Sequence, residues 1–369
     1  MNHYKETIRL GVPIMLGQLG IIIVGFADNI MVGHHSTQEL AAASFVNNFF
    51  NLAFIFGMGF SYGLTPIVGR LFAQKQYAEV GATLKNSLAI NFIVGILLSL
   101  CMLFLLFNLD WLNQPKELYP YIIPYYILQL FSVVFTMLFN SFKQFSDGTT
   151  DTLTPMYVML SANVVNIIGN YFLIYGHGGF PELGLTGAGI STLFSRILTL
   201  AAFCWLFYRR KKYAEYVKGF KQSVINRESI RNLVRLGLPV GFQMGVETGS
   251  FSLSVIMMGW IGSTALAAYQ VGGVITTLGF MLYYGIGAAV SIRVSNFNGS
   301  RNNQEIRKAA QAGFVIINTC ALLFIAFLLL FRTRIGYLFT PEEEVVKLVA
   351  LFCWPMMLYH CLLYTSPSP

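Results

Sequence analysis

The residues of this chain that could do chemistry are a few polar side chains inside long apolar segments. The acid Asp28 lies in the first such segment, and three amides, Asn163, Asn166 and Asn170, follow at spacings of three and four in a later one. That spacing places the amides on nearly one face of a helix. A carboxylate facing amide oxygens across a cavity could hold a proton or a Na⁺ ion. Two alternatives stay open, an interfacial position for Asp28 and a purely interhelical role for the amides.

Two further charged residues lie near the middle of predicted helices. Glu247 is flanked by Met244, Val246 and Phe251, so its carboxylate cannot easily snorkel to the membrane surface. We expect a functional role for Glu247, with a structural hydrogen bond to a neighbouring helix as the alternative. Arg196 is interpreted as a structural counter-charge rather than as a substrate contact.

The motifs typical of enzymes do not fit their context. Residues 59–63 match G-x-S-x-G, but a nucleophile elbow needs a strand–turn–helix setting and this stretch is predicted to lie within a helix. Its glycines, like those at 241, 245 and 249, are expected to allow close helix packing. The sequence has no phosphate-binding G-x-x-x-x-G-K-[ST] loop and no clustered histidines and cysteines. We therefore predict a protein that is not an enzyme and has no cofactor.

The composition predicts a membrane protein built of helices. Hydrophobic residues make up 55% of the chain and charged residues 11%, and the mean hydropathy is +0.61. The net charge of +8 is spread over short loops, which argues against nucleic-acid binding. Apolar runs long enough to span a bilayer recur along the chain, so the predicted class is an all-α polytopic membrane protein. The predicted helices cover about residues 8–33, 39–69, 80–107, 120–145, 153–175, 185–208, 231–261, 264–296, 306–331 and 345–364.

The basic residues predict the orientation of these helices. Of the 24 Lys and Arg residues, 19 fall on the amino-terminal side of the membrane. Because Lys and Arg resist translocation, we place the amino terminus in the cytoplasm.

A repeat divides the chain into two copies of one unit. Pro13 and Pro239 stand 226 residues apart, as do Ile30 and Ile256. Six helices per copy make the copies parallel, with an amino-terminal lobe at 1–208, a cytoplasmic linker at 209–233 and a carboxyl-terminal lobe at 234–369. A second full copy would run to about residue 452, so we expect the chain to be carboxyl-terminally truncated. Residues 364–369, which contain two prolines, are interpreted as a foreign end.

Several stretches together resemble the multidrug and toxic compound extrusion (MATE) family, of the NorM type. They are Leu10–Pro13, Ala27–Gly33, Leu40–Ala42, Asp147–Met156, Val165–Gly176, Gly187–Thr192 and Ser291–Val294. The stretch at 147–156 is longer than the usual G-D-T-x-T-P-M. The likeness extends to about residue 360, and its specificity comes from the order of the stretches combined with the repeat.

The resemblance implies two six-helix lobes around a V-shaped cavity and export of lipophilic cations in exchange for Na⁺ or H⁺. By position, Asp28, Asn166, Asn170 and Thr192 match the amino-lobe cation site, and Glu247 matches the acid of the seventh helix. Either group could hold Na⁺. Relatives carry an acid where this chain has Asn170, which leaves the coupling ion open. The acid that partners Glu247 in the family lies in helix ten.

The expected protein is therefore a monomeric, cation-coupled multidrug antiporter of the inner membrane. A lipid-linked oligosaccharide flippase of related architecture is the nearest alternative, but it would be expected to carry several cavity-facing Arg or Lys residues. A membrane-embedded enzyme is the other alternative, and it lacks a recognisable catalytic group.

Overall fold

The computed structural model describes residues 2–109, 115–340 and 342–363. Over these ranges the chain is almost entirely helical and contains no β-strand, as the composition predicts. The terminal stretch at 364–369, interpreted above as a foreign end, lies outside the described residues. The α-helices are α1 (His3–His35), α2 (Thr37–Tyr62), α3 (Leu64–Ala73), α4 (Tyr77–Phe107), α5 (Tyr119–Gly148), α6 (Leu153–Tyr175), α7 (Gly184–Arg209), α8 (Ala214–Gln222), α9 (Arg227–Ile261), α10 (Ser263–Gly299), α11 (Asn303–Phe331) and α12 (Glu343–Leu363).

Eight helical segments are long and apolar enough to cross a membrane, counting only the described part of the chain. They coincide with eight of the ten predicted spans, with α2 and α3 together forming one of them. The two remaining predicted spans, α9 and α12, are helical but are not among the eight.

The second predicted helix is broken where the backbone of α9 packs against it. Gly63 separates α2 from α3, and Pro66 in the first turn of α3 has no amide proton to continue the hydrogen-bond pattern. A Cβ at Gly63 would lie 2.6 Å from the backbone nitrogen of Gly237. A glycine is therefore needed at this break.

The segment predicted as a long cytoplasmic loop also contains helix. Within 209–233, α8 and the start of α9 are helical. The charged run at its beginning favours a loop, but Tyr216 and Gly219 of α8 are buried against α4 and supply the packing that the local sequence lacks. The segment predicted as a loop therefore contains a short helix.

The chain forms two compact units. The first, called here the carboxyl-terminal unit, comprises Met1–Met15 and Val246–Pro369; the second, called the amino-terminal unit, comprises Leu16–Gly245. Helices α1 and α9 each contribute residues to both units. The lobe boundaries predicted from the repeat stay a prediction.

The core of the amino-terminal unit lies among α2, α4, α5 and α7. Toward the end of α5 it becomes a cluster of rings, in which Phe142 stacks on Phe203 at 5.3 Å and Phe145 meets Tyr216 edge-on at 5.3 Å. Such ring pairs add to the stabilisation from burial itself. The first pair joins α5 to α7 and the second joins α5 to α8, and both α5 and α7 carry polar groups of the site described below.

The carboxyl-terminal unit packs the beginning of α1 on α10. Gly11 and Gly285 face each other so closely that a Cβ on either would lie about 3 Å from the other's carbonyl oxygen. Toward the helix ends, Arg293 donates to the carbonyl oxygen of His3 at 2.8 Å and to the Thr7 hydroxyl at 2.6 Å. These contacts fix the first turns of α1 within this unit.

Candidate functional site

The acid Asp28 and the amide Asn170 meet directly in the amino-terminal unit. Asn170 Nδ2 on α6 donates a hydrogen bond of 2.5 Å to Asp28 Oδ1 on α1. Asn170 is fully buried, and Asp28 is partly buried. The carboxylate thus has a polar partner within the protein, and its role in ion coupling stays a prediction.

One turn earlier on α6, Asn166 makes a second polar contact of the site, this one with α7. Its Nδ2 lies 3.3 Å from Thr192 Oγ1 and 3.5 Å from Ser191 Oγ, and the Ser191 hydroxyl donates back to the Asn166 carbonyl oxygen at 2.8 Å. Gly169 lets α7 come this close, because a Cβ there would lie 2.5 Å from Ser191 Oγ. Asn166 and Asn170 lie on successive turns of α6. The structure therefore brings Asp28 of α1 and Thr192 of α7 to these two turns.

Two amide oxygens of this group are buried without a hydrogen-bond partner among the described residues. They are Oδ1 of Asn166 and Oδ1 of Asn170. Buried polar atoms are usually paired, because an unpaired one loses its hydration without compensation. Together with the Asp28 carboxylate, these oxygens form a set of hard donors of the kind that Na⁺ prefers. The described residues contain no cluster of three or more His, Cys, Asp or Glu side chains suited to a metal ion, so a cation site here depends on amides.

A positive charge stands beside this group. Arg196 on α7 donates to Gln129 Oε1 at 3.1 Å and also to the Ser132 hydroxyl, and its guanidinium lies 4.3 Å from the ring centre of Phe54. Its charge acts on Asp28. The role of Arg196 as a structural counter-charge stays a prediction.

A hydrogen-bonded chain on α5 extends this polar region, and the sequence analysis missed it. Gln129 Nε2 donates to the Tyr125 hydroxyl at 2.9 Å, and that hydroxyl donates to Asn47 Oδ1 at 2.9 Å. Tyr125, Gln129 and Ser132 recur at spacings of four and three, like the amides of α6. The same search for a polar stripe, applied to α5, would have found them.

Glu247 belongs to the carboxyl-terminal unit. It lies near the middle of α9, as predicted, but its side chain is exposed rather than enclosed by other helices. The Tyr359 hydroxyl of α12 is hydrogen-bonded to its carboxylate. The role of Glu247 in ion or drug binding stays a prediction.

A second ionic cluster ties the end of α5 to the start of α8. Asp151, between α5 and α6, receives hydrogen bonds from Lys212, Tyr213 and Thr154. Burial by itself raises the pKa of Asp151, but these donors outweigh it and hold the pKa below its ordinary value. Nearby, Lys143 and Asp147 form a buried ion pair at 2.9 Å. These contacts belong to the packing of the unit's end and lie outside the Asp28 group.

Comparisons with known proteins agree with the resemblance seen in the sequence. The MatE family model matches residues 13–172 and 239–365. The multidrug resistance protein NorM of Photobacterium profundum is 26% identical over 98% of this chain and 80% of its own length. NorM of Vibrio cholerae is 27% identical over the same shares.

Solved structures share the fold. The eukaryotic MATE transporter AtDTX14 superposes with a TM-score of 0.84 at 20% identity, covering 97% of this chain and 79% of that one. A MATE protein in complex with MaD5 gives 0.86 at 22% identity, covering 99% and 82%. The comparisons do not bear out the predicted carboxyl-terminal truncation. The matched model spans most of the chain, which therefore belongs to the MatE family and is a multi-pass membrane transporter, not an enzyme.

Proposed function

We propose that this chain is a multidrug efflux antiporter of the inner membrane, which exports lipophilic cations in exchange for Na⁺ or H⁺ and has a cytoplasmic amino terminus. The observation that carries the proposal is the contact of Asp28 with Asn170 beside two unpartnered amide oxygens, inside apolar helices. The names of the NorM relatives support the multidrug part. Without a nucleotide-binding loop in the sequence, the energy for export comes from an ion gradient.

The Asp28–Asn170 hydrogen bond has the form expected of the ion-free site. An ionised carboxylate accepts from the amide nitrogen, which is the observed arrangement. When a proton binds Asp28, the new hydroxyl needs an acceptor, and rotation of the Asn170 amide presents Oδ1. When Na⁺ binds instead, the same rotation supplies Oδ1 as a ligand. A proton can therefore reverse the direction of this hydrogen bond, whereas Na⁺ replaces it with coordination by both oxygens.

Arg196 stabilises the ionised Asp28 carboxylate of the ion-free state. A carboxylate away from bulk water is costly unless a charge or donors compensate it. Arg196 supplies the charge and is itself held by Gln129, Ser132 and the ring of Phe54. Binding of a coupling cation adds positive charge to this pair, and its release restores the neutral pair.

A lipophilic cation suits the same region. It is attracted by Asp28, and contact with the face of an aromatic ring is worth about 0.5–2 kcal/mol for a desolvated cation. The ion and the drug then compete for one charge, and exchange between two conformations couples their movements.

The flippase alternative is disfavoured by the charges of the amino-terminal unit. Recognition of a pyrophosphate-linked lipid calls for several free cations in the cavity. Arg196 is engaged by α5 residues, and Lys143 is paired with Asp147. The neighbouring acid and amide oxygens favour a positively charged substrate.

The test is efflux of a fluorescent lipophilic cation from proteoliposomes with the Na⁺ and pH gradients imposed separately. We expect one gradient to drive efflux by the wild-type chain and Asp28→Asn to abolish it. Glu6→Gln, which removes a carboxylate near the beginning of the same helix, is the matched control and should retain transport. Efflux that needs neither gradient would contradict the proposal. Turnover of a lipid substrate by the purified protein would instead favour a membrane enzyme.

Glu247 is proposed as a second coupling group. Glu247→Gln should keep the protein level and reduce coupled efflux, whereas Tyr359→Phe removes only its hydrogen-bond partner and should have a smaller effect. An unchanged transport rate and ion dependence in Glu247→Gln would assign that residue a structural role.

A further inference from the structure

A basic surface lies at the end of α7 and along α8. We define this α7–α8 basic surface by four exposed cations: Arg209, Lys211, Lys218 and Lys221. Within the described parts of the chain, no carboxylate forms an ion pair with any of the four. Their neighbour Lys212 differs, because Asp151 binds it. The surface therefore holds positive charge that the protein itself does not neutralise.

The helix that carries this surface is fixed firmly on α4. A Cβ at Gly81 would lie 1.9 Å from the carbonyl oxygen of Tyr216, and a Cβ at Gly219 would lie 2.0 Å from a carbonyl oxygen of α4. The two backbones are thus in contact. Because Tyr216 and Gly219 face α4, Lys218 and Lys221 project from the opposite side of α8. The cations are presented on a rigid base.

Exposed aromatic residues show the depth of this surface relative to a bilayer. Trp205 and Tyr208, in the last turns of the membrane-spanning α7, are 61% and 51% exposed. Such residues mark the boundary between hydrocarbon and water. Lys221 Nζ lies 5.8 Å from the ring centre of Tyr208. Just after α8, Val224 and Ile225 are 80% and 57% exposed, so apolar groups adjoin the cations.

We propose that the α7–α8 basic surface binds the phosphate headgroups of anionic phospholipids in the leaflet at this end of the helices. Basic residues next to a membrane span attract anionic lipid, and apolar residues beside them enter the headgroup region. A free phosphate ion offers the same charge but no hydrocarbon for Val224 and Ile225. The bilayer lipid is therefore the partner that fits both features. This interaction is independent of which ion drives transport.

The experiment is a lipid titration of this chain purified in detergent, at low ionic strength, with thermal unfolding as the readout. Phosphatidylglycerol should raise the melting temperature at concentrations where phosphatidylcholine does not. The triple variant Lys211→Gln, Lys218→Gln, Lys221→Gln should need more phosphatidylglycerol for half of the effect, by roughly fivefold per charge or on the order of 100-fold in all. The matched control carries Lys116→Gln, Arg307→Gln and Lys347→Gln, which remove the same charge elsewhere, and should respond as the wild type does.

Three further arms decide the outcome. Glu215→Lys adds a cation to α8 and should strengthen the response; raising the salt to about 0.15 M should weaken it by screening. Glycerophosphoglycerol, the headgroup without acyl chains, should not reproduce the stabilisation. Equal responses of the triple variant and its control would overturn the proposal, as would equal stabilisation by phosphatidylcholine. Stabilisation by the free headgroup would identify a soluble phosphate as the ligand and contradict the assignment to lipid. The wild-type salt and headgroup arms hold even if a variant fails to fold.

Discussion

The most informative single change is Asp28→Asn, because an amide keeps the shape of the side chain and removes only its charge. In the wild type, Asn170 Nδ2 donates a hydrogen bond of 2.5 Å to Asp28 Oδ1. The side-chain oxygen of the variant can still accept this hydrogen bond. The variant therefore separates the role of the charge from the role of the contact.

The structure sets the size of the effect on stability. A hydrogen bond to a charged group contributes about 1.5–3 kcal/mol and a neutral one about 0.5–1.5 kcal/mol, so the contact weakens by about 1 kcal/mol. Against this, the variant no longer has to place a charge in a partly buried position. The free energy of unfolding should change by no more than about 1 kcal/mol. The protein level should stay near that of the wild type.

The effect on coupling should be complete. Coupling between two ligands usually amounts to about 1–3 kcal/mol, or 5–150-fold in affinity, and it is reciprocal. If Asp28 is the coupling group, drug affinity in Asp28→Asn no longer depends on the Na⁺ concentration or on pH. The assay is titration of a fluorescent lipophilic cation into purified protein at several Na⁺ concentrations and pH values, with Glu6→Gln as the control. Ion-dependent drug binding that survives Asp28→Asn would refute the reasoning.

Three further predictions concern stability, each measured by thermal unfolding in detergent. Gly63→Ala should destabilise the fold by about 1–3 kcal/mol, since its Cβ would lie 2.6 Å from the backbone of α9. Gly249→Ala is the control and should not destabilise it, because nothing in the described part of the chain packs within 4 Å of a Cβ there. Equal losses of stability in the two variants would contradict the packing argument. Lys143→Met should lower the free energy of unfolding by about 3–5 kcal/mol, because it leaves buried Asp147 unpaired. Adding Asp147→Leu should restore most of that stability. If the effects of the two substitutions simply add, the ion-pair explanation is wrong. Because the pKa of Asp151 is lower in the folded than in the unfolded protein, its carboxylate contributes to the free energy of unfolding above the unfolded pKa of about 3.9, and this contribution is lost as the pH falls further. Asp151→Asn should therefore make the loss of stability below about pH 4 less steep. An unchanged slope would exclude that role.

Hydrophobic periodicity predicted the helices well, and the exceptions have a shared cause. The ends of α4, α6 and α11 fall within a few residues of the prediction. The break at Gly63 and the helix α8 were missed because both depend on another helix packing against them. Apolar runs in the sequence indicate which residues are removed from water, but they do not indicate which helix backbones are in contact. Close backbone contact is visible only once α4 meets α8 and the end of α2 meets α9.

The site was predictable to the extent that its residues are unusual in an apolar helix. Asp28 and the amides of α6 could be singled out because polar groups are costly there and need a partner. Ser191 was missed, because a hydroxyl satisfied by its own helix is common in such segments. Its contact with Asn166 depends on the close approach at Gly169.

The contacts of the site differ in how strongly they hold their helices, and that difference indicates where an ion can act. The α6–α7 side is fixed by Gly169, Ser191 and the backbone of Asn166, none of which changes when charge arrives. Between α1 and α6, the Tyr175 hydroxyl also donates to the Met31 carbonyl oxygen at 2.8 Å, a contact that does not involve Asp28. If Asp28 is the coupling group, as proposed, the Asp28–Asn170 hydrogen bond changes when the ion binds, because a proton gives Asp28 a hydroxyl that can donate to Asn170 Oδ1 and Na⁺ would be coordinated by both side-chain oxygens. Since α6 is held by α7, the rearrangement falls on the Asn170 side chain and on α1.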